Sequence, residues 1–178
     1  MTIKVKEIVR GCSPIIFDCG DWFDLICSKD ITLKAPYART KHRKRHNKTD
    51  EDPETFRDVI FDYTLIPLGV AMEIPEGMEA IIAPRSSTFK KYGLIQTNSI
   101  GVVDYLYKGD NDEWKLAVVA TRNVTIPAGT RLAQFRIQPS QKATVWQKIK
   151  WLFSTAPTFE HVKSLNNKDR KGFGSTGV

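Results

Sequence analysis

The sequence predicts an all-β domain of the jelly-roll or barrel kind, with one short inserted helix and a polar carboxy-terminal tail. Three observations carry this. Ten short runs rich in Val, Ile, Phe and Tyr recur between Gly, Pro, Asp and Asn, the punctuation of strands joined by tight turns. Ile74-Pro75-Glu76-Gly77 and Ile126-Pro127-Ala128-Gly129 each set a Pro-x-Gly turn between two apolar runs, as hairpin-like returns require. The 178 residues, 41% hydrophobic and 26% charged, suit one domain with one core. They exclude a disordered chain, a collagen-like repeat and a disulfide-dense miniprotein.

In chain order, strands are expected at 3–8, 15–17, 24–27, 59–66, 70–74, 79–83, 100–107, 114–121, 131–137 and 158–164, each a short apolar run bounded by turn formers. Three stretches break the pattern. Residues 38–58 form a charged insert almost free of apolar side chains and are expected as an exposed, disordered excursion. Residues 140–154 are the helix candidate, because Val145, Trp146, Ile149, Leu152 and Phe153 fall at three-to-four spacing. Residues 166–178 hold one large apolar side chain, Phe173, and are too polar for a core.

The stretch from Tyr63 to Met72 is the longest uncharged apolar run, about half of what crosses a bilayer. The amino terminus carries Lys4, Lys6, Glu7 and Arg10 with no apolar run behind them, unlike a secretory signal. Cys12, Cys19 and Cys27 form no CxxC pair, which suits a reducing compartment and argues against structural zinc. A cytoplasmic protein is expected, with no membrane partner.

The formal charge is +7, and its distribution matters more than its sum. Residues 39–48 hold six Lys or Arg with His42 and His46, whereas 50–58 hold five acids against Arg57. Such runs are usually solvated faces, so nucleic-acid binding through 39–48 is the alternative and not the expectation. His42 and His46 lack a visible third metal ligand.

Three segments carry chemistry. Ala83-Pro84-Arg85-Ser86-Ser87, followed by Lys90 and Lys91, gathers a guanidinium, two hydroxyls and backbone N–H groups after a strand, the inventory for phosphate oxygens. A plain hydroxyl-satisfied turn is its bland counterpart. The run from Arg170 to Gly177 repeats the inventory with glycines and Phe173, a ring able to stack on a base; an ordinary frayed tail is the bland reading. Between them, Asp104 interrupts an apolar strand-like run, where an acid is disfavoured and costly to bury unpaired. A structural ion pair or a base that activates water would account for it.

Five segments, in order, resemble the trimeric all-β dUTP pyrophosphatases, the dUTPases. They are Gly20-Asp21-Trp22-Phe23-Asp24-Leu25, Ala83-Pro84-Arg85-Ser86-Ser87, the run from Asn98 to Gly109, Gly129-Thr130-Arg131-Leu132-Ala133-Gln134-Phe135, and the run from Arg170 to Gly177. The GDWFDL motif and Gly109-Asp110-Asn111-Asp112-Glu113-Trp114 are similar to the branch found in some Gram-positive bacteria and their phages.

The resemblance implies one jelly-roll-like domain over 1–178, a homotrimer with shared active sites, and hydrolysis of dUTP to dUMP and pyrophosphate. It implies that Asn98, with the backbone near Gly101 and Val103, reads uracil in a slot too narrow for a 5-methyl group. Tyr107 would lie under the deoxyribose, and Asp104 would deprotonate the water attacking the α-phosphorus in line. Arg85, Ser86, Ser87 and Gln134 would hold phosphates. Mg²⁺ would bridge phosphate oxygens, with Asp24 reaching it through water. From another subunit the tail would close as a lid, with Arg170 on the γ-phosphate, Phe173 over uracil, and Gly174, Ser175 and Thr176 on the phosphates.

This chain departs from the family at Trp22-Phe23, where Ala-Gly is common, at Thr130, where Asp is common, and at Lys171, where Gly is common. The nearest rival is a dCTP deaminase or bifunctional deaminase, which shares the fold and an Arg-Ser-Ser segment; the intact Gly101-Val102-Val103-Asp104 run, Tyr107 and the full tail favour uracil. A regulatory binding protein on the same scaffold is a rival of another class, opposed by retention of every residue type that catalysis needs.

Overall fold

The structure is a computed structural model that describes residues 1–17, 20–43, 54–170 and 172, with backbone alone at 42, 43, 54 and 55. Its elements are β1 (Thr2–Glu7), β2 (Phe23–Ile26), β3 (Ile31–Leu33), β4 (Tyr37–Arg43), β5 (Glu54–Ile60), β6 (Tyr63–Pro67), β7 (Val70–Glu73) and β8 (Met78–Pro84). There follow α1 (Thr88–Tyr92), β9 (Leu94–Gln96), β10 (Gly101–Asp104), β11 (Lys115–Ala120), β12 (Val124–Ile126), β13 (Arg131–Pro139), α2 (Val145–Leu152) and β14 (Thr158–His161). An all-β fold results, as the punctuation predicts.

The sheet that positions the site runs β10-β8-β13-β2, antiparallel throughout. Two flanking sheets run β14-β1-β7 and β6-β11-β9, and β12-β3 and β4-β5 form pairs. Along β8 the period of two buries Met78, Ala80 and Ile82, while Glu79 and Ile81 alternate with them on the other face. Trp114 and Phe135 are fully buried and meet edge-on at 5.2 Å. Phe23 and Phe159 complete the cluster, 4.9 Å apart, and Phe23 stacks obliquely on Phe135 at 5.3 Å. Burial of Phe135 alone contributes roughly 1.5–3 kcal/mol. That cluster explains Phe23, one of the two residues by which the first motif departs from the family: the ring is a core side chain. Cys12 and Cys27 are free, buried thiols, each pushed up chiefly by burial; Cys19 lies outside the described residues.

The insert corrects an expectation. Rather than an excursion without structure, its two arms pair as β4 and β5 in continuous antiparallel register from Tyr37↔Ile60 to Arg43↔Glu54. Opposite charges replace apolar content as the cross-strand signal: Arg39 faces Asp58, and Lys41 forms an ion pair with Asp58. Lys41 accordingly holds the Asp58 carboxyl below its usual range. Residues 44–53 lie outside the described chain.

Two strand expectations change as well. Residues 15–17 contribute only an isolated bridge, Ile15 to Asp24. The run at 59–66 breaks after Ile60, because Asp62 turns aside to accept the Lys34 N–H at 3.1 Å, so the chain leaves β5 and re-enters as β6.

Helix α2 opens on a capping box: Thr144 Oγ1 accepts the Gln147 N–H and Gln147 Oε1 accepts the Thr144 N–H. Gln147 also donates to the Glu76 carbonyl at 3.2 Å. It lies where a Cβ on Gly77, φ +79°, would come within 2.4 Å of it. The helix therefore faces the body with Gln147, while Val145, Trp146, Leu152 and Phe153 are 70–83% exposed. The apolar stripe points outward, not into the core. No helix among the described residues is long and apolar enough to cross a membrane.

Candidate active site

The predicted residues gather at two places. At the first, strand register aligns Asp24 with Gln134 and Gln134 with Ala83 across β2, β13 and β8, so Arg85 emerges just beyond that row. Asp24 is 4% exposed. Its carboxylate accepts the Arg85 Nε–H at 2.9 Å and pairs with Arg131 Nη1 at 3.4 Å. Arg131 also lies over the Phe17 ring, 4.8 Å from its centroid. The turn that follows is fixed by backbone bonds: the Arg85 N–H donates to the Leu132 carbonyl at 3.1 Å, and the buried Thr88 hydroxyl donates to the same carbonyl at 2.7 Å.

Ser86 is exposed. Ser87 stands at the start of α1 without spending its hydroxyl on a cap bond. Beside them is a cavity of about 210 Å³ lined by Arg85, Ser87, Lys91, Tyr92, Thr130 and Arg131, with Gly129 at its edge. Three cations around one small polar hollow give it the chemistry to receive an anion. Arg131 and Lys91 were absent from the predicted binding set, although both lie within motif segments read above; what exposes their role is convergence in space. A larger groove of about 640 Å³ lies beside α2, between Ile16, Phe17, Trp151 and Leu152, and is mostly apolar.

The second place is the segment from Gln96 to Tyr107, which leaves β9 and carries β10. The turn into β10 takes Ser99 to φ +57°, and Gly101 pairs with Ile82 so closely that a Cβ there would come within 3.2 Å of the Ile82 Cβ. Asn98 is exposed, and Val103 packs on the core from partial burial. Asn98 Oδ1 accepts a hydrogen bond from Gln96 Nε2 at 3.0 Å, a residue the sequence reading passed over because a glutamine in an apolar run gives no chemical signal by itself. Asp104 ends β10. Its Oδ1 accepts the Leu106 N–H at 2.9 Å, and its Oδ2 forms an ion pair with Arg170. Tyr107 donates its hydroxyl to the Glu113 carbonyl at 3.0 Å. Burial, with the nearby charges of Asp112, Glu113 and Asp169, pushes its phenol up to about 12.

The root of the tail docks beside this segment, on residues 109–112. Asp110 accepts the Leu165 N–H at 2.8 Å and the Ser164 hydroxyl at 2.7 Å, bonds that hold its carboxyl at about 2. Asp112, 1% exposed, accepts the Arg170 N–H at 2.9 Å and the Gly109 N–H at 2.8 Å. Asn111 donates twice to Asp169. Gly172 reaches the Tyr107 ring, where a Cβ would come within 2.9 Å. The resemblance implies a tail arriving from another subunit, whereas here Arg170 sits on Asp104 of its own chain. Lys171, Phe173, Gly174, Ser175 and Thr176 lie outside the described residues.

The donors present do not form a protein metal centre among the described residues. Among the described residues no three His, Cys, Asp or Glu side chains converge on one point, and Asp24 is buried between two guanidiniums. Among the described residues no metal cage is built, and the Asp24 carboxylate is engaged by the two guanidiniums.

Comparison with known proteins bears on the chain as a whole. The family model for dUTPase matches residues 53–177. The SPbeta prophage-derived deoxyuridine 5'-triphosphate nucleotidohydrolase of Bacillus subtilis is 39% identical over 179 aligned positions, covering all of this chain and 99% of that protein. The deoxyuridine 5'-triphosphate nucleotidohydrolase of a Hydrogenobaculum species is 36% identical over 184 positions, again end to end. Among solved structures, the dUTPase of Staphylococcus aureus phage phi11 superposes with a TM-score of 0.58 at 16% identity, over 82% of this chain and 94% of that one. The dUTPase of Streptococcus mutans gives 0.54 at 21% identity, over 72% and 85%. These two likenesses bear on the fold alone, but the full-length relatives and the match over residues 53–177 place the chain in the dUTPase family.

Proposed function

We propose that this chain hydrolyses dUTP to dUMP and pyrophosphate at sites shared between copies of itself in a homotrimer. One observation carries the sharing. Asp104 pairs with Glu79 near the start of β8, whereas Arg85 follows Pro84 at its end. Six residues of strand, at about 3.3 Å each, separate the two levels by about 20 Å. A base and a phosphate clamp must both lie within a few ångströms of one triphosphate. Within one chain they do not, so the β10 segment of one copy meets the anion cavity of another.

In that composite site Asn98 and the backbone from Gly101 to Val103 receive the uracil edge, and the Tyr107 ring floors the sugar. The cavity of Arg85, Ser87, Lys91 and Arg131 takes the phosphates with Ser86 and Gln134. Arg170 leaves Asp104 for a phosphate when the triphosphate arrives. That exchange frees Oδ2 of Asp104 to accept a proton from the water aligned on the α-phosphorus, with pyrophosphate as leaving group. Mg²⁺ is the accompanying ion this reading assigns. With no protein cage in the described residues, the triphosphate's own oxygens would hold it, and it would supply neutralisation of their charge.

The test is to incubate pure protein with dUTP, dCTP, dTTP and UTP, with and without Mg²⁺, and to separate products by chromatography. dUMP and pyrophosphate from dUTP alone are expected. Release of deoxyuridine nucleotides from dCTP would instead indicate a deaminase, and no turnover a binding scaffold.

A further inference from the structure

We infer that Gln96 is a specificity-determining residue, which locks the Asn98 side-chain amide with its donor end outward and so tunes the segment to a base carrying a carbonyl at position 4. The inference rests on the uracil-binding reading above and adds to it a reason for the choice of base.

The lock begins at a backbone carbonyl. The Ile82 carbonyl belongs to β8 and can only accept. Gln96, 8% exposed, directs Nε2 at that carbonyl, 3.3 Å away. The opposite orientation of the amide would place two oxygens against each other in a buried site. Ile82 therefore fixes which end of Gln96 is which.

The same Nε2 donates to Asn98 Oδ1 at 3.0 Å. Reversing Asn98 would set two amide donors face to face, so Gln96 fixes Asn98 in turn. Gln96 Oε1 is buried and unpartnered among the described residues, which marks an orientation imposed at the nitrogen end and not chosen at the oxygen end. A Cβ on Gly101 would lie 3.6 Å from Nε2, so the backbone of β10 closes the third side. The rotamer is enclosed on all of these sides, while Asn98 itself is exposed.

The consequence concerns the ligand. With Oδ1 turned inward, Asn98 offers Nδ2 to whatever binds at this segment. Uracil presents an accepting oxygen at position 4. Cytosine presents an amino group there, which would meet N–H against N–H. A freely rotating asparagine would reverse and accept from the amine; a locked one cannot. Discrimination of this kind, in which the wrong partner leaves buried donors facing each other, is the strong kind.

The experiment compares wild type, Gln96→Leu, Asn98→Asp and the double variant. It measures kcat/KM for dUTP and dCTP, and the affinities for dUMP and dCMP by calorimetry. Gln96→Leu removes the lock, and the dUTP-to-dCTP ratio is expected to fall by about 10-fold or more. Asn98→Asp presents an accepting oxygen whatever Gln96 does, so the ratio should move further toward cytosine. In that background Gln96→Leu should add little, because a carboxylate has no end to lock. Asn98→Asp alters an exposed position, so the measurement survives if Gln96→Leu folds poorly. An unchanged ratio in Gln96→Leu, whatever its overall rate, or an equal loss with and without Asn98→Asp, would overturn the lock. Failure of the wild type to hydrolyse dUTP would count against the proposed activity instead, since the monophosphate affinity ratio reports the lock without turnover.

Discussion

Two inactive variants should rescue each other. Asp104→Asn removes the base while keeping its shape. Arg85→Gln removes the phosphate cation yet leaves a donor for the buried Asp24, which would otherwise lose its 2.9 Å partner at a cost of about 3–5 kcal/mol. Because the β8 levels of Asp104 and Arg85 are about 20 Å apart, the proposed shared site would take its base from one copy and its clamp from the next. A site is then intact only when the first copy carries Arg85→Gln and the second Asp104→Asn. Random assembly of equal amounts gives that arrangement at about one site in four on average, with none in an unmixed trimer. Chains bearing two different affinity tags, co-expressed and purified through both, enrich mixed trimers, every one of which has a single intact site. The assay is pyrophosphate release from dUTP, normalised to trimer concentration. Mixed trimers should reach about a third of wild-type turnover, and unselected mixtures about a quarter. Activity no higher than that of the parents, in trimers proven to be mixed, would refute a site divided between copies.

Asp112→Ala, which frees the Arg170 N–H from its 2.9 Å acceptor, should cost about 1–3 kcal/mol and speed tryptic cleavage at Arg170; an unchanged cleavage rate would show that the tail root is held elsewhere. Asp110 has a folded pKa of about 2, below the ordinary 3.8. Its stabilising contribution is therefore present above pH 4 and lost as pH falls toward 2, and protection of the Leu165 amide from exchange should follow that window. Replacing 39–58 with Asn-Gly between Ala38 and Val59, which already face each other across the hairpin, should leave dUTP hydrolysis and assembly intact; aggregation would show that the arms hold more than each other. Leu152→Ser with Phe153→Ser, 70% and 83% exposed, should change unfolding free energy by no more than about 0.5 kcal/mol each, as read by urea denaturation.

Legibility varied with the kind of signal. The central strands were legible because burial imposes a period or an apolar run: Met78, Ala80 and Ile82 declare β8 directly. The β4–β5 hairpin was not, since its pairing rests on facing charges such as Arg39 with Asp58 and these read as solvated runs in one dimension. The stripe on α2 was legible as a period, but its direction was not. Only the contact of Gln147 with Gly77 and the Glu76 carbonyl shows which face is docked. Asp104 and Arg85 stood out because each is costly or distinctive in its setting, whereas Asn98 was reached only through the family resemblance. Arg131 and Gln96 did not stand out, because their roles come from whom they touch.

The charge balance of the anion cavity explains two sequence features together. Asp24 is buried and bonded to Arg85 and Arg131, an arrangement that by itself adds little stability, since desolvation offsets the attraction. What it does supply is order: two long guanidinium side chains are held in place before any ligand arrives, so little rotamer entropy remains to be lost on binding. Arg85, Lys91 and Arg131 line the hollow against that single carboxylate, and positive charge is left over. A second carboxylate at the neighbouring turn would cancel more of it. Position 130, commonly Asp in this family, is here a threonine whose hydroxyl closes its own turn on the Pro127 carbonyl at 2.7 Å. The turn keeps its hydrogen bond, and the cavity keeps the surplus of positive charge that the proposed triphosphate site needs.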